Sequence, residues 1–298
     1  MAMSKCFYLL AAVFFPFLYS QSAGAQLFAY IGNGPENSVS VLDTSTNAVI
    51  AVVPVVNVPS GSAVSPDGRF VYFTNSGGDE RMTVIRTRDN EVVAVVTVES
   101  TPSGVAVTPD GKLVYVVNNG PGTISVVNAQ TNTVIDTFDI TNGADSIGIA
   151  ITPDGQFFYV TNLATNLVNV FRTSDNSHVT DVDTTFGQRG IDISPDGAFV
   201  YVTVGGTSVS VIRTSDNTLV TTIPVGQNPQ NIAVTPDSAF AYVTNANDDT
   251  VSVIRTSDNT VIDTIGVGDS PNGIDVTPDG QFVYCVNAGD GSVSIIRV

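Results

Sequence analysis

The sequence has no tryptophan, one histidine, two cysteines and only 11 basic residues against 28 acidic ones. Each shortage excludes something. With His178 as the single histidine, a Ser-His-Asp triad or a histidine-bound haem has only one position to draw on. A net charge of −17 repels a phosphate polymer, so bulk nucleic acid is not an expected partner.

Long apolar runs are also scarce. The run Phe7 to Tyr19 is broken by Pro16 and is too short to cross a bilayer comfortably. Lys5 precedes it, and Ala23-Gly24-Ala25 follows with the small-x-small spacing that signal peptidase reads. Residues 1–25 therefore read as a signal peptide and residues 26–298 as one domain. The expected address is the periplasm, the cell surface or the medium, with no membrane span after cleavage. An uncleaved anchor helix is the alternative. Cleavage takes one lysine and no acid, which moves the net charge from −17 to −18. It also leaves Cys285 as the only cysteine, so an exported chain has no internal disulfide and must be held by its core. Cys285 occupies a position that is Ile31, Phe73, Val116, Val160, Val202 and Val243 elsewhere, which marks it as a buried, inert thiol.

That comparison is possible because the chain repeats itself. Tyr30, Tyr72, Tyr115, Tyr159, Tyr201, Tyr242 and Tyr284 are spaced 42, 43, 44, 42, 41 and 42 residues apart. Every tyrosine outside residues 1–25 is thus one repeat position, which argues for packing over catalysis. Each unit holds four apolar segments of four to six residues, rich in Val, Ile and Tyr, with a turn signal between them. In residues 231–267 these are NIAV, FAYVTN, VSVIR and TVIDTI. None has helical length. Four strands per unit make one antiparallel meander, and seven such units predict an all-β, seven-bladed β-propeller of four-stranded blades.

The turns have physical reasons. In TPDG, Pro presets φ, and Gly at the end takes a positive φ to rejoin the strand. In TSDN, short polar side chains bond back to the backbone and Asn tolerates the left-handed region. Arg86, Arg172, Arg213 and Arg255 each stand three residues before an Asp and are expected to bridge that turn.

The words YVTN, VSVIRTSDNTVIDTI and GIAVTPDG resemble the YVTN-family β-propeller repeat, over essentially all of 27–298. The resemblance implies a seven-bladed propeller of the kind found in exported bacterial proteins and archaeal surface-layer proteins, mostly without an assigned reaction. The Arg of VIRTSDN departs from the family's more frequent Asp, which Asp43 keeps.

With strands lettered A to D outward from the axis, the repeat opens on a B strand, LFAYIGN, and stops on a C strand, SVSIIRV. The first blade is therefore expected to lack its inner strand and the last its outer strand. A seam of this kind invites strand addition or self-association; a shortened reading frame is the other explanation.

A meander puts the near-identical A–B and C–D turns on one face and the dissimilar B–C and D–A loops on the other. Function is expected on the variable face near the channel, where Asp145, Arg189, Asn231, Asp269 and Asn272 are candidate ligand-binding residues. On strand A, Ala63, Ala106, Ala150 and Ala233 occupy a position that is Asp192 and Asp275 in two blades. Two carboxylates on innermost strands suggest a hard cation such as Ca²⁺ at the channel, with solvated acids as the plainer alternative. Arg189 is expected to pair with Asp192 or to bind a carboxylate or phosphate. Quinoprotein-type propellers lean on repeated Trp, and there is none. Three readings follow: an exported scaffold binding a protein, glycan or cell-surface polymer; a metal-assisted, lactonase-like hydrolase at the channel; and a structural surface-layer module.

Overall fold

The computed structural model describes residues 27–78, 80–140, 145–184 and 187–298, together with the backbone of 12–16. Most of the segment read as a signal peptide, Cys6 included, lies outside the described residues. Seven antiparallel sheets are arranged in a ring. The first holds β1 (Ala12–Pro16), β2 (Leu27–Asn33), β3 (Ser38–Asp43) and β4 (Ala48–Pro54). The second holds β5 (Pro59–Val64), β6 (Phe70–Asn75), β7 (Arg81–Arg86) and β8 (Glu91–Thr97). The third holds β9 (Pro102–Val107), β10 (Leu113–Asn118), β11 (Thr123–Asn128) and β12 (Thr133–Asp139). The fourth holds β13 (Ser146–Ile151), β14 (Phe157–Asn162), β15 (Leu167–Arg172) and β16 (His178–Asp183). The fifth holds β17 (Ile191–Ile193), β18 (Phe199–Val204), β19 (Ser208–Arg213) and β20 (Thr218–Pro224). The sixth holds β21 (Pro229–Val234), β22 (Phe240–Asn245), β23 (Thr250–Arg255) and β24 (Thr260–Gly266). The seventh has three strands, β25 (Pro271–Val276), β26 (Phe282–Asn287) and β27 (Ser292–Arg297).

The repeat supplies three strands to the first blade and three to the last, as its sequence predicts. The inner position of the first blade is nevertheless lined by β1, a segment from outside the repeat, whose backbone pairs with β2 from Ala12↔Ile31 to Pro16↔Leu27.

The turns behave as their sequences require. In all six A–B turns the Ser or Thr hydroxyl donates to the turn Asp at 2.6–2.7 Å. The closing residue has a positive φ, from 68° to 73° at the five glycines and 60° at Ser238. In the six C–D turns the Asn (Asn47, Asn90, Asn132, Asn176, Asn217 and Asn259) sits at φ 54–57°. Arg86–Asp89, Arg172–Asp175, Arg213–Asp216 and Arg255–Asp258 form the expected bridges, at 2.7, 4.0, 2.8 and 2.6 Å.

The core lies between blades. Each anchor tyrosine packs onto the following sheet: Tyr30 onto Val71, Phe73 and Ile85, Tyr159 onto Ile193, Val200 and Val202. Burying one large apolar side chain contributes roughly 1.5–3 kcal/mol, so each cluster outweighs any single polar contact across the same interface. The polar contacts fix register instead. Tyr30, Tyr115 and Tyr159 donate their hydroxyls to Asn90, Asn176 and Asn217 of the following blade at 2.5, 2.9 and 2.6 Å.

The Thr of YVTN is a second clamp. Its hydroxyl accepts the N–H of its own inner strand and donates to a carbonyl of the following one. Thr203 takes Gly190 N at 2.8 Å and gives to Gln230 O at 2.9 Å; Thr244 takes Asn231 N at 3.0 Å and gives to Asn272 O at 2.8 Å. Where Val117 replaces that Thr, Ser103 makes the bond instead, to Ser146 O at 3.2 Å. Inner strands crowd here. A Cβ on Gly61, Gly104, Gly148 or Gly190 would lie 2.1–2.7 Å from a carbonyl oxygen of the following blade, so glycine is required.

Candidate functional site

On the variable face the structure joins some of the predicted residues and separates others. Arg189 is exposed and donates to Gln230 Oε1 at 3.3 Å. Asn231, adjacent in the chain, donates through Nδ2 to Asn272 Oδ1 at 3.2 Å. Arg189, Asn231 and Asn272 therefore form one polar arc across blades five to seven, where the inner strands begin. Asp145 stays apart, its carbonyl accepting Leu163 N at 3.0 Å. Asp269 is held by the last blade, its N–H donating to Asp290 Oδ2 at 3.2 Å.

Arg189 does not pair with Asp192 as the sequence suggested; no ion pair joins them among the described residues. Register explains why. Asp192 is opposite Tyr201 and Asp275 is opposite Tyr284, so both share the tyrosines' sheet face. That face meets the following blade, where the alanines of the other repeats join the apolar clusters. Asp192 thus belongs to an interface between blades and not to the channel lumen. Its oxygens accept Ile193 N and Val234 N, each at 2.8 Å, and the second bond crosses to the sixth blade. Burial pushes its carboxyl up to about 6, against the lowering effect of those two N–H groups. Asp275 accepts Val276 N at 2.8 Å.

Among the described residues, no group of three or more His, Cys, Asp and Glu side chains gathers as metal ligands would. His178 is exposed on outer strand β16, beside Asp181 Oδ1 at 2.6 Å and edge-on to Phe171. Cys285 is fully buried, and burial pushes its thiol up to about 12.

The sequence reading missed a shallow, open cleft on the same face, between blades five and six. It has a volume of about 570 Å³ and is lined by Gly206, Thr207, Gln227, Asn228 and Asn247. None of the five predicted residues lines it. A signal was present: the fifth blade ends its B strand on Val204 where the YVTN pattern has Asn, and Gly205-Gly206 follow. In four other blades that Asn donates to two hydroxyls of strand C, as Asn118 does to Thr123 and Ser125. With Val204 in its place, the buried Ser210 hydroxyl has no partner among the described residues.

Comparison with known proteins agrees with the fold. A model described as the cytochrome D1 heme domain matches residues 24–146. The one histidine of this chain, on an outermost strand, does not fit a haem ligand in such a domain. A structure titled Kuenenia stuttgartiensis hydrazine synthase superposes with a TM-score of 0.85 at 21% identity, over 98% of this chain and 95% of that one. A functionally unknown protein from Desulfotomaculum acetoxidans DSM 771 superposes with a TM-score of 0.81 at 20% identity, over 91% and 92%. At such identities the likeness is one of fold. No curated protein matches the sequence significantly. A model described as lactonase, 7-bladed beta-propeller, matches residues 129–219 and 209–298, together more than half of the chain. The chain belongs to the seven-bladed β-propeller family that this lactonase model describes.

Proposed function

We propose that the protein is an exported, YVTN-type β-propeller scaffold that binds a macromolecular partner through its B–C and D–A loops. The observation that carries this reading is the contrast between the two faces. On the uniform face, each A–B turn uses its Asp internally, bonded to its own hydroxyl and backbone N–H. On the other face the loops differ in every blade and present exposed polar side chains such as Arg189, Gln227 and Asn247. A rigid ring that varies only there is built for recognition.

The test is sedimentation of the purified protein with the cell-envelope fraction of its producing organism. A Thr207→Arg, Asn247→Arg double variant should lose envelope binding. A Gln156→Arg, Gln281→Arg variant of the exposed uniform turns should keep it. Equal behaviour of the two variants would sink the proposal.

The family match favours a second reading, lactone hydrolysis at the channel with help from a cation such as Ca²⁺. Its carboxylates would be Asp192 and Asp275, but Asp192 lies between blades with both oxygens on backbone N–H groups, so this reading requires it to turn from that interface into the channel. Hydrolysis of a δ-lactone that needs added Ca²⁺ and disappears in an Asp192→Ala, Asp275→Ala variant would favour it. Association of the purified protein into sheets would instead favour a surface-layer module.

A further inference from the structure

The cleft between blades five and six points to the chemistry of a ligand. Its floor is open because the B–C loop of the fifth blade, Gly205 to Thr207, has three residues where the other blades have four or five. Gly206 has a φ of 91°, and nothing lies within 4 Å of the position a Cβ would take. Beneath it Gly205 lies close against Gly187, whose Cβ would come within 2.8 Å of the Gly205 Cα.

The walls are fixed by the backbone. Asn228 N donates to Gly206 O at 2.8 Å, Ala246 N to Asn228 O at 3.1 Å and Asn247 N to Gln227 O at 3.2 Å. Gln227 N donates to Asp248 Oδ2 at 2.7 Å, which turns that carboxylate to a structural task. The three loops that meet here are therefore tied to one another before any ligand arrives, which lowers the ordering cost of binding.

The side chains are ordered too. Gln230 Nε2 donates to Asn228 Oδ1 at 2.8 Å, and Asn228 Nδ2 donates to Asn247 Oδ1 at 3.1 Å. This ladder uses the Asn247 oxygen and leaves its amide N–H groups without a bond among the described residues. The Gln227 amide and the Thr207 hydroxyl form no side-chain bond among the described residues. The lining thus offers donors and acceptors in close succession.

No ionisable side chain lines the cleft, in a chain of net charge −17. An anion would meet no cation there and would face Asp248 nearby. An apolar ligand would strand the amides without partners. The chemistry that remains is an uncharged molecule with many hydroxyls.

We infer that this cleft is a binding site for a neutral glycan. This inference rests on the proposal that the variable face binds a macromolecular partner and names the class of that partner. The lining has no aromatic ring to stack on a sugar, so a single site binds weakly. A polymer gains occupancy by presenting many copies of its unit.

The experiment is amide NMR of the labelled full chain, titrated with maltohexaose, cellohexaose and hexa-N-acetylglucosamine. A galacturonic acid hexamer is the charged comparator. At least one neutral hexasaccharide should shift the amides of Gly206, Thr207, Gln227 and Asn247. Gln227→Ala and Asn247→Ala, both exposed, should each weaken that binding about fivefold or more, and the comparator should leave these amides unmoved. The inference is overturned if no neutral hexasaccharide shifts them, if Asn247→Ala binds like the parent, or if the comparator binds equally well. Envelope binding that persists alongside such a failure would leave the scaffold proposal standing; loss of both would remove the two together.

Discussion

Tyr284 of the last blade donates its hydroxyl to Asn47 Oδ1 of the first at 2.8 Å. Its ring packs with Ala29, Ile31 and Leu42. The bond is the same one that Tyr115 makes with Asn176 between ordinary neighbours. The ring is therefore closed by the ordinary interface between blades, repeated once more between residues 237 positions apart.

Closure should be no weaker than the other interfaces. Tyr284→Phe and Tyr159→Phe each remove one hydrogen bond and keep the ring in place. Each should cost about 1 kcal/mol, slightly more where the Asn oxygen is left without a donor. Urea unfolding checks this. A much larger loss for Tyr284→Phe would show the seam to be the weak point.

Asp192 should give stability an unusual pH dependence. Its folded value, about 6, lies above the unfolded carboxylate value of about 4. The folded state then holds the proton more tightly, so this group's contribution is present below pH 4. It is lost as pH rises towards 6 and stays lost above. A shift of about two units corresponds to roughly 3 kcal/mol at most. Asp89, Asp110 and Asp258, each lowered to about 2 by hydrogen bonds and neighbouring cations, act in the opposite sense at lower pH. Comparing the parent with Asp192→Asn cancels those terms. The variant should gain on the parent from pH 4 to 6 in thermal melts; parallel curves would contradict the assigned shift.

Ser210 and Ser125 occupy the same strand position with opposite consequences. Ser125 receives a hydrogen bond from Asn118 at 2.9 Å, while Ser210, opposite Val202 with Val204 the next residue on that sheet face, has no partner among the described residues. Ser125→Ala should destabilise by about 1 kcal/mol, and Ser210→Ala should be neutral or stabilising by a similar amount. Denaturant midpoints of the two variants decide it.

Cys285 should ignore thiol reagents while the protein is folded. It is fully buried and its thiol is pushed up to about 12. Ellman's reagent should react only as fast as the blade opens, and denaturant should release the full signal. Rapid labelling of the native protein would place the residue elsewhere.

Much of this molecule was legible in one dimension. A repeat of 41–44 residues fixes blade number, because every unit must bury its apolar faces on a neighbour and seven units return to the start. Turn chemistry was legible as well, since TPDG and TSDN carry their own φ requirements, as at Gly111 and Asn217. The bridging of Arg255 to Asp258 followed from spacing alone.

The candidate site was less legible. Asp192 was expected at the channel because it sits on an inner strand. Only register with Tyr201 shows that its carboxyl points at the following blade. The cleft beside Gly206 draws Gly206, Asn228 and Asn247 from three loops that no local pattern connects. Periodicity determines which residues repeat and which face they share, because strand geometry has a fixed period. Which unlike loops become neighbours, and which of their polar groups remain for a ligand, is decided only when the blades close on one another in the ring.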